Sequence, residues 1–168
     1  AQSELAERKV AEEVLRESEE KFRNLAEQSP NMIFINRGGR VVYANRRCEE
    51  MMGYSREQFY APGFDFRTLI APEHRQRVQA KFALHLGGED VAPYEYSLLT
   101  RDGRRMECIL ATGLLRFGDQ NAIMGIITDI TIRKRSERLL ACLNAAGLAM
   151  ARVLIPERTF ATAGEELA

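Results

Sequence analysis

The chain has 168 residues, 45% hydrophobic and 29% charged, ordinary values for a soluble globular protein of one domain with extensions, or of two very small ones. Lys and Arg number 24, as do Asp and Glu, so the net charge is zero and a strongly basic nucleic-acid binder is disfavoured. No apolar run approaches the roughly 18 residues needed to span a bilayer, no signal peptide is visible, and Cys48, Cys108 and Cys142 are too dispersed for a disulfide framework. The expectation is a cytoplasmic segment without membrane insertion or nucleic-acid partner.

Residues 1–28 are rich in Glu, Lys, Arg, Ala and Leu and free of Gly and Pro. Leu5, Val10, Val14, Phe22 and Leu25 are spaced loosely as on one helix face, and Ser29-Pro30-Asn31 ends the pattern. Met32–Ile35 reads as a strand, Gly38-Gly39 as a tight turn and Val41–Ala44 as the returning strand. Asn45 can cap the short helix that carries Cys48, Met51 and Met52, and Gly53 can end it. Ser55 starts another short helix, and Ala61-Pro62-Gly63 interrupts it. Pro72 to Leu86 reads as a longer helix with Val78, Phe82 and Leu86 on its apolar face and Gly87-Gly88 beyond its end.

Tyr94–Thr100 and Arg105–Thr112 flank Arg101-Asp102-Gly103-Arg104, a hairpin signal. Leu114–Phe117 begins the next segment, residues 118–121 turn it, and Ala122–Thr128 closes the sheet. Two strand blocks separated by helices give an α+β sheet with helices gathered on one face. Asp129-Ile130-Thr131 then joins the last strand to a charged helix. Thr131 is expected as its N-cap, with Asp129 bonding locally and adding negative charge near the helix start. Ile132, Ser136, Leu139, Leu143, Ala146, Met150 and Val153 alternate steps of four and three, a short heptad seam that Pro156 ends. Its dimer contacts are expected at Leu139, Leu143, Ala146 and Met150.

From Glu19 to Lys134 the chain resembles the PAS family of sensory modules. Glu19–Leu25 resembles the lead-in helix, Gly39–Asn45 the first hairpin with its Asn, and Met52-Gly53-Tyr54-Ser55 the turn after it. Tyr94-Glu95-Tyr96 with residues 101–104 resembles the central hairpin, and Gly125 to Thr131 the exit. The resemblance implies a five-stranded antiparallel sheet with short helices on one face, between amphipathic N-terminal and C-terminal helices. It divides the chain into a lead-in helix (1–28), the PAS domain (29–131), an output helix (132–155) and the start of another module (156–168). Residues 140–146 with 156–160 resemble the lead-in to a GAF domain, so further sensors or a histidine kinase are expected in the parent chain. The resemblance also implies a homodimer, with Gly125, Asp129, Ile130 and Thr131 transmitting the signal.

The family's cofactors can be tested against these residues. An axial haem His would stand in the middle of the long helix, where this chain has Arg77, Val78 and Gln79; His74 and His85 lie near its ends and read as surface residues. The light-sensing members place a reactive Cys where this chain has Phe64–Leu69, so haem and a covalent flavin are both disfavoured. Non-covalent FAD or a small apolar ligand is left open, and no cofactor is the favoured reading. Pocket candidates are Ile33, Ile35, Met51, Met52, Phe66, Leu69, Val78, Phe82, Leu98, Ile109 and Ile127, with Asn45, Tyr54 and Tyr96 to orient a ligand; these side chains equally serve as plain core. No metal-ligand spacing and no catalytic constellation is present, so the segment is not read as an enzyme. The favoured function is a sensory module that signals through Asp129-Ile130-Thr131 to an output helix; the alternative is a ligand-free dimerisation and signal-relay spacer.

Overall fold

A computed structural model describes residues 2–117 and 120–154. The chain divides into two units, Ala1–Thr131 and Ile132–Ala168. In the first, helix α1 (Gln2–Gln28) is followed by the hairpin β1 (Met32–Arg37) and β2 (Arg40–Ala44). Gly38 and Gly39 both take positive φ, 58° and 83°, as a two-residue hairpin turn of the primed type requires. Helices α2 (Arg46–Met52) and α3 (Arg56–Tyr60), a 3-10 turn (Phe66–Leu69) and α4 (Pro72–Leu86) come next. The strands β3 (Tyr94–Leu99), β4 (Arg105–Phe117) and β5 (Gln120–Asp129) complete an antiparallel sheet in the order β2-β1-β5-β4-β3. The α+β architecture expected from the sequence is the observed one.

Local chemistry explains the short helices. Asn45 Oδ1 accepts from the Cys48 amide at the start of α2, and Gly53 ends that helix in the left-handed region at φ 76°. Ser55 and Gln58 form a reciprocal capping box on α3. Pro72 opens α4, where its missing N–H costs nothing. These helices lie over one face of the sheet and bury an apolar cluster that includes Met32, Met52, Phe59, Val78, Tyr96 and Leu110.

β4 departs from expectation. It runs unbroken for 13 residues through Thr112 and Gly113, where the sequence suggests a break, because Gly113 stays paired with Met124 in the ladder to β5. The turn expected at residues 118–121 falls partly outside the described residues, and the GAF-like segment from 156 onward falls wholly outside them.

Helix α5 begins at Thr131, the last residue of the first unit, and is described to Leu154 in the second. Arg133 and Lys134 pair with Glu137 at 3.7 and 3.9 Å. Leu139, Leu143, Ala146 and Met150 are all exposed. No helix among the described residues is long and apolar enough to cross a membrane.

Candidate functional site

Between the sheet and its covering helices lies an apolar cavity of about 90 Å³. The ladder sets which side chains reach it. One row across the sheet is Tyr94, Leu110, Ile127 and Met32; the next is Thr112, Gly125 and Phe34; a third brings Asn36 beside Ile123. From the helices come Cys48 and Met52 of α2, Phe59 of α3, Phe66 and Leu69, and the α4 face of Val78, Lys81, Phe82 and His85. Gly125 makes room for this wall. A Cβ there would stand 2.3 Å from two ring atoms of Phe34, so only glycine lets that ring lie across β5.

Of the residues expected at a pocket, Met52, Phe66, Leu69, Val78, Phe82, Tyr96, Leu98 and Ile127 line the cavity. Six others do not. Ile33, Ile35 and Ile109 stand on the opposite face, because side chains alternate along a strand: Ile33 pairs with Ile126, Ile35 with Met124 and Ile109 with Thr128. Met51 packs against the apolar cluster from outside the cavity wall. Tyr54 does so too, its ring centroid 5.8 Å from those of Phe59 and Phe64. Asn45 is fully engaged elsewhere. Its Oδ1 accepts from the amides of Ile33 and Cys48, and its Nδ2 donates to the carbonyls of Ala26 and Asn31. No hydrogen-bonding capacity remains for a ligand.

His85 corrects a second expectation. It is not a surface residue but is only 5% exposed and lines the cavity. Leu86, which had been assigned to the buried face, is exposed instead. A helix turns 100° per residue, so the position seven beyond Val78 returns within about 20° of it, whereas the eighth lies about 80° away. His85 Nδ1 meets the Glu89 carbonyl at 3.0 Å. Its Nε2 is buried with no partner, alone in this respect among the side-chain nitrogens and oxygens of the described residues.

Burial pushes the Cys48 thiol up to about 12, and it donates to the Ile33 carbonyl at 3.4 Å, so it is a packed apolar group rather than a nucleophile. The Tyr94 hydroxyl is likewise pushed up to about 12 by burial. Pockets for drug-sized ligands measure roughly 300–1,000 Å³, so a flavin or haem would require the cavity to open several-fold. No group of three or more metal-ligating side chains occurs among the described residues.

The end of the sheet is built differently from the expectation. Thr131 is the first residue of α5, and its Oγ1 accepts from the Glu107 amide on β4 at 3.0 Å, not from the helix. Asp129 Oδ1 takes the capping part, accepting from the Thr131 amide at 2.8 Å. Between them Ile130 is buried, and its amide donates to the Glu107 carbonyl at 2.8 Å. Glu107 also accepts through its side chain from Ser97 Oγ of β3 at 2.9 Å and from Arg105 Nε at 3.1 Å. Arg105 in turn pairs with Glu73 in the first turn of α4. Strand β3 directly, and α4 through Arg105, are thus linked to the residue that holds the joint.

A second network went unseen in the sequence because its members lie up to 29 positions apart. Glu27, in the last turn of α1, accepts from Tyr43 Oη at 3.0 Å, the Arg46 amide at 2.9 Å and the Arg56 guanidinium at 2.6 Å. Arg56 also pairs with Glu49 at 2.9 Å.

Residues 20–85 match the family model of the PAS domain. The fold is also that of a domain of a sensory box sensor histidine kinase/response regulator from Geobacter sulfurreducens, 28% identical, with a TM-score of 0.58 over 68% of this chain and 96% of that one. The chain carries a PAS domain. The PAS domain of an HTR-like protein from Haloarcula marismortui, 23% identical, shares the fold with a TM-score of 0.58 over 73% of this chain and 99% of that one. Protein y4lL of Sinorhizobium fredii is 31% identical in an alignment of 135 residues that covers 77% of this chain and 16% of that relative's length. As a PAS domain, this segment is a sensory signalling module.

Proposed function

We propose that this PAS domain passes the state of its cavity to an output helix through Asp129-Ile130-Thr131, within a cytoplasmic sensor histidine kinase that works as a homodimer. In this reading residues 1–28 are a lead-in helix, 29–131 the sensor, 132–155 the output helix, and a GAF or kinase module follows from 156. The observation that carries it is the double attachment of the joint to Glu107, by the Ile130 amide and by Thr131 Oγ1. A shift of β4 must move the start of α5 or break one of these bonds. A joint with two arrangements of similar energy is what a small differential contact can bias. The kinase assignment draws on the Geobacter relative and on a sensory box histidine kinase/response regulator from Burkholderia thailandensis, 24% identical with a TM-score of 0.57 over 75% of this chain and 96% of that one.

In the parent chain, Asp129→Ala removes the acceptor for the first helical amide and leaves the cavity untouched. Basal autophosphorylation or its response to stimulus should change by about 5- to 150-fold, the range of a 1–3 kcal/mol coupling. Unchanged activity together with an unchanged response would sink the relay. The small volume of the cavity favours a second reading, a ligand-free dimerisation and relay spacer. The two readings part on whether the cavity takes a ligand.

A further inference from the structure

The relay makes no use of His85, whose ring is buried in the cavity wall. A carbonyl can only accept, so Nδ1 carries the proton in its contact with the Glu89 carbonyl. The loop after α4 fixes that contact. The Gly87 amide donates to the Ala83 carbonyl, Gly88 to His85 and Glu89 to Leu84, so the chain folds back over the helix end and presents the Glu89 oxygen. In the neutral ring Nε2 is then a buried lone pair that no protein donor meets. Buried acceptors are nearly always satisfied, and a donor from outside the chain is what would satisfy this one.

The rest of the wall restricts the donor's chemistry. Phe34, Phe59, Phe66, Phe82, Tyr94 and Tyr96 supply aromatic surface, and Phe66 and Phe82 already pack with centroids 5.5 Å apart. Such rings receive another aromatic ring edge-on or offset. The cation on the wall, Lys81, stands 4.9 Å above the ring of Tyr94. A carboxylate directed at Nε2 would set an anion against a lone pair, and a cationic donor would bring a second positive charge onto the wall that already holds Lys81, so an uncharged O–H or N–H is the donor that fits His85.

We propose that the cavity binds a small, uncharged aromatic alcohol of the phenol class, its O–H donating to His85 Nε2 and its ring packing on Phe66, Phe82 and Tyr94. This rests on the reading of the domain as a sensor and names the class of its ligand. At about 90 Å³ the cavity is smaller than the roughly 150 Å³ that admits benzene in an engineered core. Nε2 is itself closed to solvent, so binding requires the wall to yield both for the ring and for this contact, and the flexible Met32 and Met52 side chains are able to give way by changing rotamer.

The test titrates the full chain, labelled with nitrogen-15 at histidine, with phenol and with toluene, which has nearly the same shape and no donor. Phenol should bind about 3- to 10-fold more tightly, the worth of one neutral hydrogen bond, and should move the His85 Nε2 resonance while toluene does not. In His85→Phe the preference should vanish. Equal affinities with an unmoved resonance would overturn the phenol class and leave a ligand-binding sensor standing. Binding of neither compound would overturn the inference outright, whatever Asp129→Ala does to output. A resonance already hydrogen-bonded in the free protein would assign the site to water and overturn it as well.

Discussion

Asn45 and Glu27 show how single side chains tie the lead-in helix to the sensor. Asn45 makes all four of its hydrogen bonds to the backbone of α1, the loop after it, β1 and α2, so the residue that caps α2 also fixes the end of α1. Glu27 does the same with charge. Burial opposes its ionisation, but the Arg46 amide, the Tyr43 hydroxyl and the Arg56 guanidinium outweigh that and hold its carboxyl below the ordinary value of 4.5. A lowered folded pKa means that the carboxylate's contribution is fully present above the unfolded value and is lost as pH falls through the folded one. Glu27→Gln keeps the shape and removes the charge. It should cost about 1 kcal/mol at neutral pH, a charge-assisted hydrogen bond discounted for partial exposure. Paired thermal melts should show a gap between wild type and variant that is constant from pH 7 to about 4.5 and closes below it. A gap that persists unchanged at pH 3 would refute the assignment.

At the scale of elements, the turns and caps were legible because they depend on one or two residues: Gly38-Gly39, Asn45, Gly53, Ser55 and Pro72 each carry a local conformational reason. Strand facing was not legible in β1. Met32-Ile33-Phe34-Ile35 is apolar on both faces, so its periodicity has no phase, and only pairing with β5 shows that Met32 and Phe34 face the cavity. The joint was misread for a related reason: a threonine before a helix has the chemistry of a cap, but β4 offered its hydroxyl a better donor. Gly125 belongs here too, since its role depends on a ring 91 positions earlier in the chain. Gly125→Ala should push the Phe34 ring into the cavity and destabilise the domain by about 1–3 kcal/mol, the usual cost of overpacking. Adding Phe34→Leu should return at least half of that loss in chemical denaturation. If the double variant is no more stable than Gly125→Ala alone, Phe34 is not the obstacle and the account of this glycine fails.

The whole molecule presents a problem that its own fold does not solve. α5 exposes Leu139 and Leu143 at 61% and 60% and Met150 at 67%, spaced as a heptad seam requires. One helix in water gains nothing from such a seam, and most helical stability in proteins comes from packing an amphipathic face. In the proposed homodimer a second copy of the seam would answer this need, burying each leucine for about 1.5–3 kcal/mol and stiffening the helix that the proposal makes the carrier of the signal. A helix that was not stiff could not convey a displacement of its first turn, so the proposed relay requires the proposed dimer. Leu143→Lys places a charge in the centre of the seam and leaves every residue of the cavity in place. In sedimentation velocity the wild-type chain should run as a dimer at micromolar concentrations, and the variant should need at least 10-fold more protein to do so. Its circular dichroism should lose signal equivalent to part of α5 as it dissociates, while the sensor's thermal melt stays unchanged. A wild-type chain that is monomeric at high concentration, or a variant that dimerises as tightly, would move the association surface off α5 and remove the physical basis for transmission along it.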